Sequence, residues 1–93
     1  QALELQRPLR VGRGLFYCDL DVSPYLTRDK SVSRHHLTLY IKEDLTARVS
    51  LDSQKRELML NRSLMRPGEP PRELPLPLEL RLSSELTLLV ERA

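Results

Sequence analysis

Along residues 31 to 41, Ser-Val-Ser-Arg-His-His-Leu-Thr-Leu-Tyr-Ile, a polar cluster passes into strict alternation, with Leu37, Leu39 and Ile41 facing one way and Thr38 and Tyr40 the other. A period of two over this length predicts a half-buried strand. Its partner follows the turn Lys42-Glu43-Asp44: Leu45, Ala47, Val49 and Leu51 alternate with Thr46, Arg48 and Ser50, so 37–42 and 45–51 are expected to form an antiparallel hairpin. Upstream, Ala2 to Leu5 alternate into Pro8, Leu9 and Val11 resume the pattern, and Gly12-Arg13-Gly14 ends it. Leu15 to Val22 read as a strand of mixed faces closed by the turn Ser23-Pro24. A polar loop from Thr27 to Lys30 then leads into the central stretch.

Downstream, Asp52 to Glu57 is a polar loop, Leu58-Met59-Leu60 a brief strand ending at Asn61, and Pro67 to Pro71 a turn that cannot sit inside a sheet. Leu74, Leu76, Leu78, Leu80 and Leu82 then fall on one face, with Pro75 and Pro77 placing the first half at a sheet edge or outside the ladder. Leu86, Leu88 and Val90 mark a closing strand. Nowhere does a 3.6-residue apolar period run long enough for a helix. Many short strands with frequent turn signals predict an all-β sandwich of two mostly antiparallel sheets without a long helix, with Leu37, Leu39, Ile41, Val49, Leu80, Leu86 and Leu88 in its core.

At 93 residues the chain has room for one domain with one modest core. With three Tyr, one Phe and no Trp, that core must be built from leucine and valine. The start at Gln1 without a methionine suggests a domain, residues 1–93, cut from a longer polypeptide. Cys18 has no second cysteine to pair with, and no stretch has the apolar length of a signal peptide or membrane span. A soluble piece from a reducing, cytoplasmic compartment, with no direct membrane contact, is expected.

Charge changes the picture in quality more than in quantity. Fifteen Lys and Arg against thirteen Asp and Glu give a formal net charge of +2, too small for wrapping a nucleic-acid backbone, and the few aromatics form no stacking platform. Twelve of those cations are arginine, whose planar fork suits phosphate and carboxylate. Recognition of one discrete oxyanion is therefore better supported than a diffuse basic surface, and no nucleic-acid partner is expected.

Catalytic and metal chemistry find little footing. The only His or Cys cluster is His35-His36 with a distant Cys18, and adjacent strand residues point to opposite faces, so the two imidazoles cannot easily share an ion. His36 is expected buried, bracing its loop, and His35 exposed. Nucleophilic use of Ser33 with His36 would need an orienting acid and an oxyanion pocket that the sequence does not signal. Neither an enzyme nor a cofactor is expected. Gly12-Arg13-Gly14 precedes a strand and lacks the third glycine of a dinucleotide fingerprint. Taken alone, that triplet reads first as a plain turn whose arginine points into water. Ser33 and Arg34 alone likewise read as solvated turn residues.

The combination is more specific than either half. A Gly-Arg after an early strand, followed by Ser-Arg-x-His running into an apolar alternating strand, resembles the forkhead-associated (FHA) domain family, most of all its bacterial members. Residues 9 to 41 carry the match, through Leu9-Arg10-Val11-Gly12-Arg13, Asp19-Leu20-Asp21-Val22 and Ser31 to Leu37. The resemblance implies a β-sandwich that binds a phosphothreonine-containing protein. In it Arg13 and the Ser33 hydroxyl would hold phosphate oxygens, Arg34 would touch phosphate or peptide backbone, and His36 would brace the loop from behind.

In the second half the family's Ser-x-Asn-Gly loop is replaced by Ser53-Gln54-Lys55-Arg56-Glu57, with Arg56-Glu57 where Asn-Gly stands. Asn61 is kept at the second Asn-Gly while Arg62 replaces its glycine. Ser53, Arg56 and Asn61 complete the candidate peptide-binding set. The alternative, favoured by Arg56-Glu57, is an FHA-like domain without phospho-recognition that docks in a larger assembly such as a secretion apparatus.

Overall fold

The computed structural model describes residues 8–14, 18–26 and 32–91. The expected strand at 2–5, the first half of the 15–22 strand and the 27–30 loop lie outside the described residues. Among the described residues nine strands form two sheets. The first has five strands: β1 (Leu9–Gly12), β2 (Leu20–Asp21), β3 (Leu37–Ile41), β4 (Thr46–Leu51) and β7 (Arg72–Pro75), in the spatial order β2-β1-β3-β4-β7. The second has β5 (Leu58–Leu60), β6 (Ser63–Met65), β8 (Leu78–Arg81) and β9 (Thr87–Val90), in the order β6-β5-β8-β9. Every pairing is antiparallel except β1 with β2, which run parallel.

Register puts the leucines where alternation requires. In the central hairpin Leu39 sits opposite Val49 and Ile41 opposite Ala47, and all four are buried. Across the second sheet Leu60 faces Leu80, and Leu80 faces Leu88. The core between the sheets is aliphatic: Val11, Val32, Leu37, Leu58, Leu60, Leu78 and Leu80 are almost wholly withdrawn from water, while Leu88 is partly buried against them. Each fully buried leucine of this kind is stabilising by about 1.5–3 kcal/mol relative to an exposed one.

Three expectations are corrected. Leu45 is a turn residue, not the first residue of β4. It donates its N–H to the Lys42 carbonyl at 2.9 Å with φ of 65°, and it is exposed. That is a turn closed by one left-handed residue. The run Leu74 to Leu82 does not share one face of one sheet: its first part, β7, lies at the edge of one sheet, as Pro75 and Pro77 indicated, and its second, β8, lies within the other. Leu74 and Leu80 thus reach the same core from opposite sides. A short strand, β6, was also not anticipated; it follows the two-residue turn Asn61-Arg62, which pairs Leu60 with Ser63. Ser23-Pro24-Tyr25 is a single 3-10 turn.

Candidate functional site

The Gly12-Arg13 corner of β1 meets the 32–36 loop because position 12 has no side chain. A Cβ there would stand 2.1 Å from the Arg34 carbonyl oxygen and 2.9 Å from Cys18 Sγ. With glycine, the loop lies directly on the strand end. The Arg13 N–H donates to the Ser33 carbonyl at 3.0 Å, and Arg13 Nε donates to the Val32 carbonyl at 3.2 Å. The guanidinium is thus anchored by one nitrogen beside Ser33. The missing side chain at Gly12 thus clears space for the neighbouring loop.

Asp21 holds the other side of this corner. Its Oδ1 accepts the N–H of Gly14 at 2.9 Å, the N–H of Ser23 at 2.9 Å and the Ser23 hydroxyl at 2.6 Å. These donors, the Ser23 hydroxyl foremost, hold its carboxyl below the usual carboxylate range. Sequence reasoning quoted Asp21 without giving it a task; Asp-x-Ser is the side-chain-to-backbone turn signature that could have found it.

His36 is the hub. Its backbone N–H donates to the Val11 carbonyl at 3.1 Å, and its carbonyl accepts the N–H groups of Asp52 at 2.9 Å and Ser53 at 3.2 Å. The ring is buried. Nδ1 accepts the Ser33 N–H at 3.0 Å, so it carries no proton, and the proton on Nε2 is donated to the Glu57 carbonyl at 3.0 Å. One neutral tautomer therefore satisfies both nitrogens and ties the 32–36 loop to the 53–57 loop. Burial is the main force pushing its pKa below 6.5; the Glu57 carbonyl pulls it up, Arg56 lowers it and Asp52 raises it. His35 is exposed, and strict alternation begins only at Leu37, since His36 and Leu37 are both buried.

The two loops also meet through hydroxyls. Ser33 Oγ and Ser53 Oγ are 2.7 Å apart, and Ser53, only 5% exposed, accepts the N–H of Arg56 at 2.9 Å. Arg34 is exposed, and its carbonyl accepts the Cys18 thiol at 2.7 Å. Burial raises the Cys18 pKa, with Asp21 adding to it, so this thiol is a donor and no reactive nucleophile at neutral pH.

Arg56 and Lys55 are exposed. They line a groove of about 460 Å³ with Glu57, Met59, Leu64 and Arg81 on the outer face of the second sheet. Asn61 stands at the opposite end of β5 from Ser53. There its N–H donates to the Glu79 carbonyl at 3.0 Å and its Oδ1 accepts the Glu79 N–H at 2.7 Å. The structure thus brings Arg13, Ser33, His36 and Ser53 together, sets Arg34 and Arg56 on the surface of the same two loops, and engages Asn61 with β8. Among the described residues no three His, Cys, Asp or Glu side chains converge as a metal site requires.

Compared with known proteins, residues 9–82 match the family model described as FHA domain. Among solved structures, the chain is similar to the FHA domain of the CT664 protein from Chlamydia trachomatis. The two share 22% sequence identity with a TM-score of 0.74, over 98% of this chain and 82% of that one. No curated protein matches the chain.

Proposed function

Because the chain belongs to the FHA domain family, whose members are in general phosphopeptide-binding interaction modules, we propose that it binds proteins through a phosphothreonine held between Arg13 and Ser33. The observation that carries this reading is the anchoring of the Arg13 guanidinium on the Val32 carbonyl and of its N–H on the Ser33 carbonyl. An arginine fork and a hydroxyl are thereby held side by side on a rigid strand end. A phosphate dianion is an acceptor at every oxygen, and charge-assisted bonds from such donors are stronger than neutral ones.

Arg34, exposed on the same loop, reaches phosphate or peptide backbone. Ser53 and Arg56 shape the second loop, over which the flanking peptide runs, and Asn61 secures the end of β5 that supports it. No bond is made or broken, no cofactor takes part, and the partner is a phosphorylated protein, not a nucleic acid or a membrane. Under this reading the module meets its phosphorylated partner in the cytoplasm.

Titration calorimetry against a degenerate phosphothreonine peptide library and its unphosphorylated counterpart is the test. Binding only to the phosphorylated library is expected, with modest affinity because Arg56 stands where the family carries the asparagine whose amide would grip peptide main chain. Arg13→Ala should abolish it, and Arg56→Asn should tighten it or leave it unchanged. Absence of phospho-dependent binding in a folded sample would overturn the reading. The second reading, a docking domain within a larger assembly, would then hold, favoured by Arg56-Glu57 standing where the family carries Asn-Gly.

A further inference from the structure

The two hydroxyls between the loops are not equivalent. Their 2.7 Å separation leaves open which one donates, but the surroundings of Ser53 decide it. Ser53 Oγ accepts the Arg56 N–H at 2.9 Å and the Lys55 N–H at 3.3 Å. A hydroxyl oxygen has two lone pairs and one proton. With both lone pairs engaged, only the proton remains to be shared with Ser33, and burial of Ser53 keeps water from competing for it.

From this we infer that Ser53 is a positioning residue: it donates its proton to Ser33 Oγ and so leaves the Ser33 hydroxyl proton to be donated outward to the phosphate. The inference rests on the phosphothreonine reading above. Were the bond reversed, Ser33 would spend its proton inward and turn lone pairs toward a dianion that can only accept. Ser53 thus acts on the ligand without touching it, from a loop whose residues were expected to contact the peptide. The direction of the bond is set by backbone, since both groups that saturate Ser53 are main-chain N–H groups of the same loop.

A double-mutant cycle tests this, using the tightest phosphothreonine peptide from the library and the whole chain. Ser33→Ala should weaken binding about 10- to 100-fold, the loss of one hydrogen bond to a charged group. Ser53→Ala should weaken it about threefold, since a freed Ser33 hydroxyl must return from three staggered wells to one. In the Ser33→Ala background, Ser53→Ala should change nothing further; in the native background, Ser53→Thr, which keeps the hydroxyl, should bind like the native chain.

Equal losses from Ser53→Ala in both backgrounds would mean that Ser53 merely holds its loop, overturning the inference while the phosphothreonine reading stands. Failure of the native domain to bind the phosphopeptide overturns both. Hydroxyl-proton NMR of the native domain gives an answer that needs no variant to fold. A slowly exchanging Ser53 proton close to Ser33 supports the inference; a slowly exchanging Ser33 proton directed at Ser53 overturns it.

Discussion

Position 12 and the turn positions 45, 61 and 62 make different demands on the chain. At Gly12 a side chain would be driven to 2.1 Å from a carbonyl oxygen of the neighbouring loop, an atom that cannot swing aside. At Leu45, Asn61 and Arg62 the demand is only conformational: φ values of 65°, 47° and 70° are ones that glycine adopts freely and other residues adopt at a penalty. That penalty is about 1–2 kcal/mol per residue, small enough for the sandwich to absorb. The chain therefore keeps glycine where the 32–36 loop must lie against the end of β1 and does without it at two hairpin turns. Close approach is an absolute constraint in this fold; turn propensity is a graded one.

The largest effect should come from violating the absolute constraint. Gly12→Ala pushes the 32–36 loop off β1, breaks the Arg13–Ser33 backbone bond and separates His36 from Val11. A loss of stability of about 3 kcal/mol or more is expected, at the upper end of overpacking penalties. Urea denaturation measures it. A loss below 1 kcal/mol would mean that the loop can lift away from the strand, and the contrast with the turn positions would collapse.

Acid should reveal the next effect, centred on His36. Its folded-state pKa lies below the ordinary 6.5, chiefly through burial. The unfolded chain then binds more protons in the interval between the two values, so stability is fully present above 6.5 and is lost as pH falls from there through the folded value. Protonating Nδ1 would also turn the acceptor of the Ser33 N–H into a donor, so the 32–36 loop should loosen over the same interval. Proton NMR of the His36 imidazole checks the origin of this dependence. His36 should titrate below 6.5, and titration at or above 6.5 would remove it from the account.

How much of this was legible in the chain follows from what kind of atom carries each contact. The central hairpin could be read because Leu37, Leu39, Ile41, Ala47 and Val49 write period two in side chains. Gly12, Arg13, Ser33 and His36 could be read because their identities recur together at fixed spacing. Leu45 misled because it continues the hydrophobic alternation of β4 while occupying a turn, and no residue type marked the change. The run from Leu74 to Leu82 was read onto one face for a similar reason: both sheets bury leucine every second residue, so alternation persisted across the passage from one sheet to the other, and only Pro75 and Pro77 marked the first part as an edge. β6 was missed because its three residues include one buried side chain, Met65. The partners that fasten the site, the carbonyls of Val11, Val32 and Glu57, have no side-chain signature at all.

The smallest expected effect is a gain. If the turn positions are governed only by backbone preference, Arg62→Gly and Leu45→Gly should each stabilise the domain by about 1 kcal/mol, the penalty for a side chain in the left-handed region less the greater freedom glycine has when unfolded. Arg62 is the better test because it is exposed and its neighbour Asn61, a residue that tolerates this region, already holds the turn through its two bonds to Glu79. Asn-Gly is also the pair best suited to a two-residue hairpin with both φ angles positive. Leu45 gives up some apolar contact when replaced, so its gain should be the lesser of the two. Thermal denaturation of both variants, with phosphopeptide affinity measured alongside, should show higher melting temperatures and unchanged binding, because neither residue lies on the 32–36 or 53–57 loop. A destabilised Arg62→Gly domain would mean that the Arg62 side chain makes a contact worth more than its strained backbone costs, and turn propensity would then not be what separates these positions from Gly12.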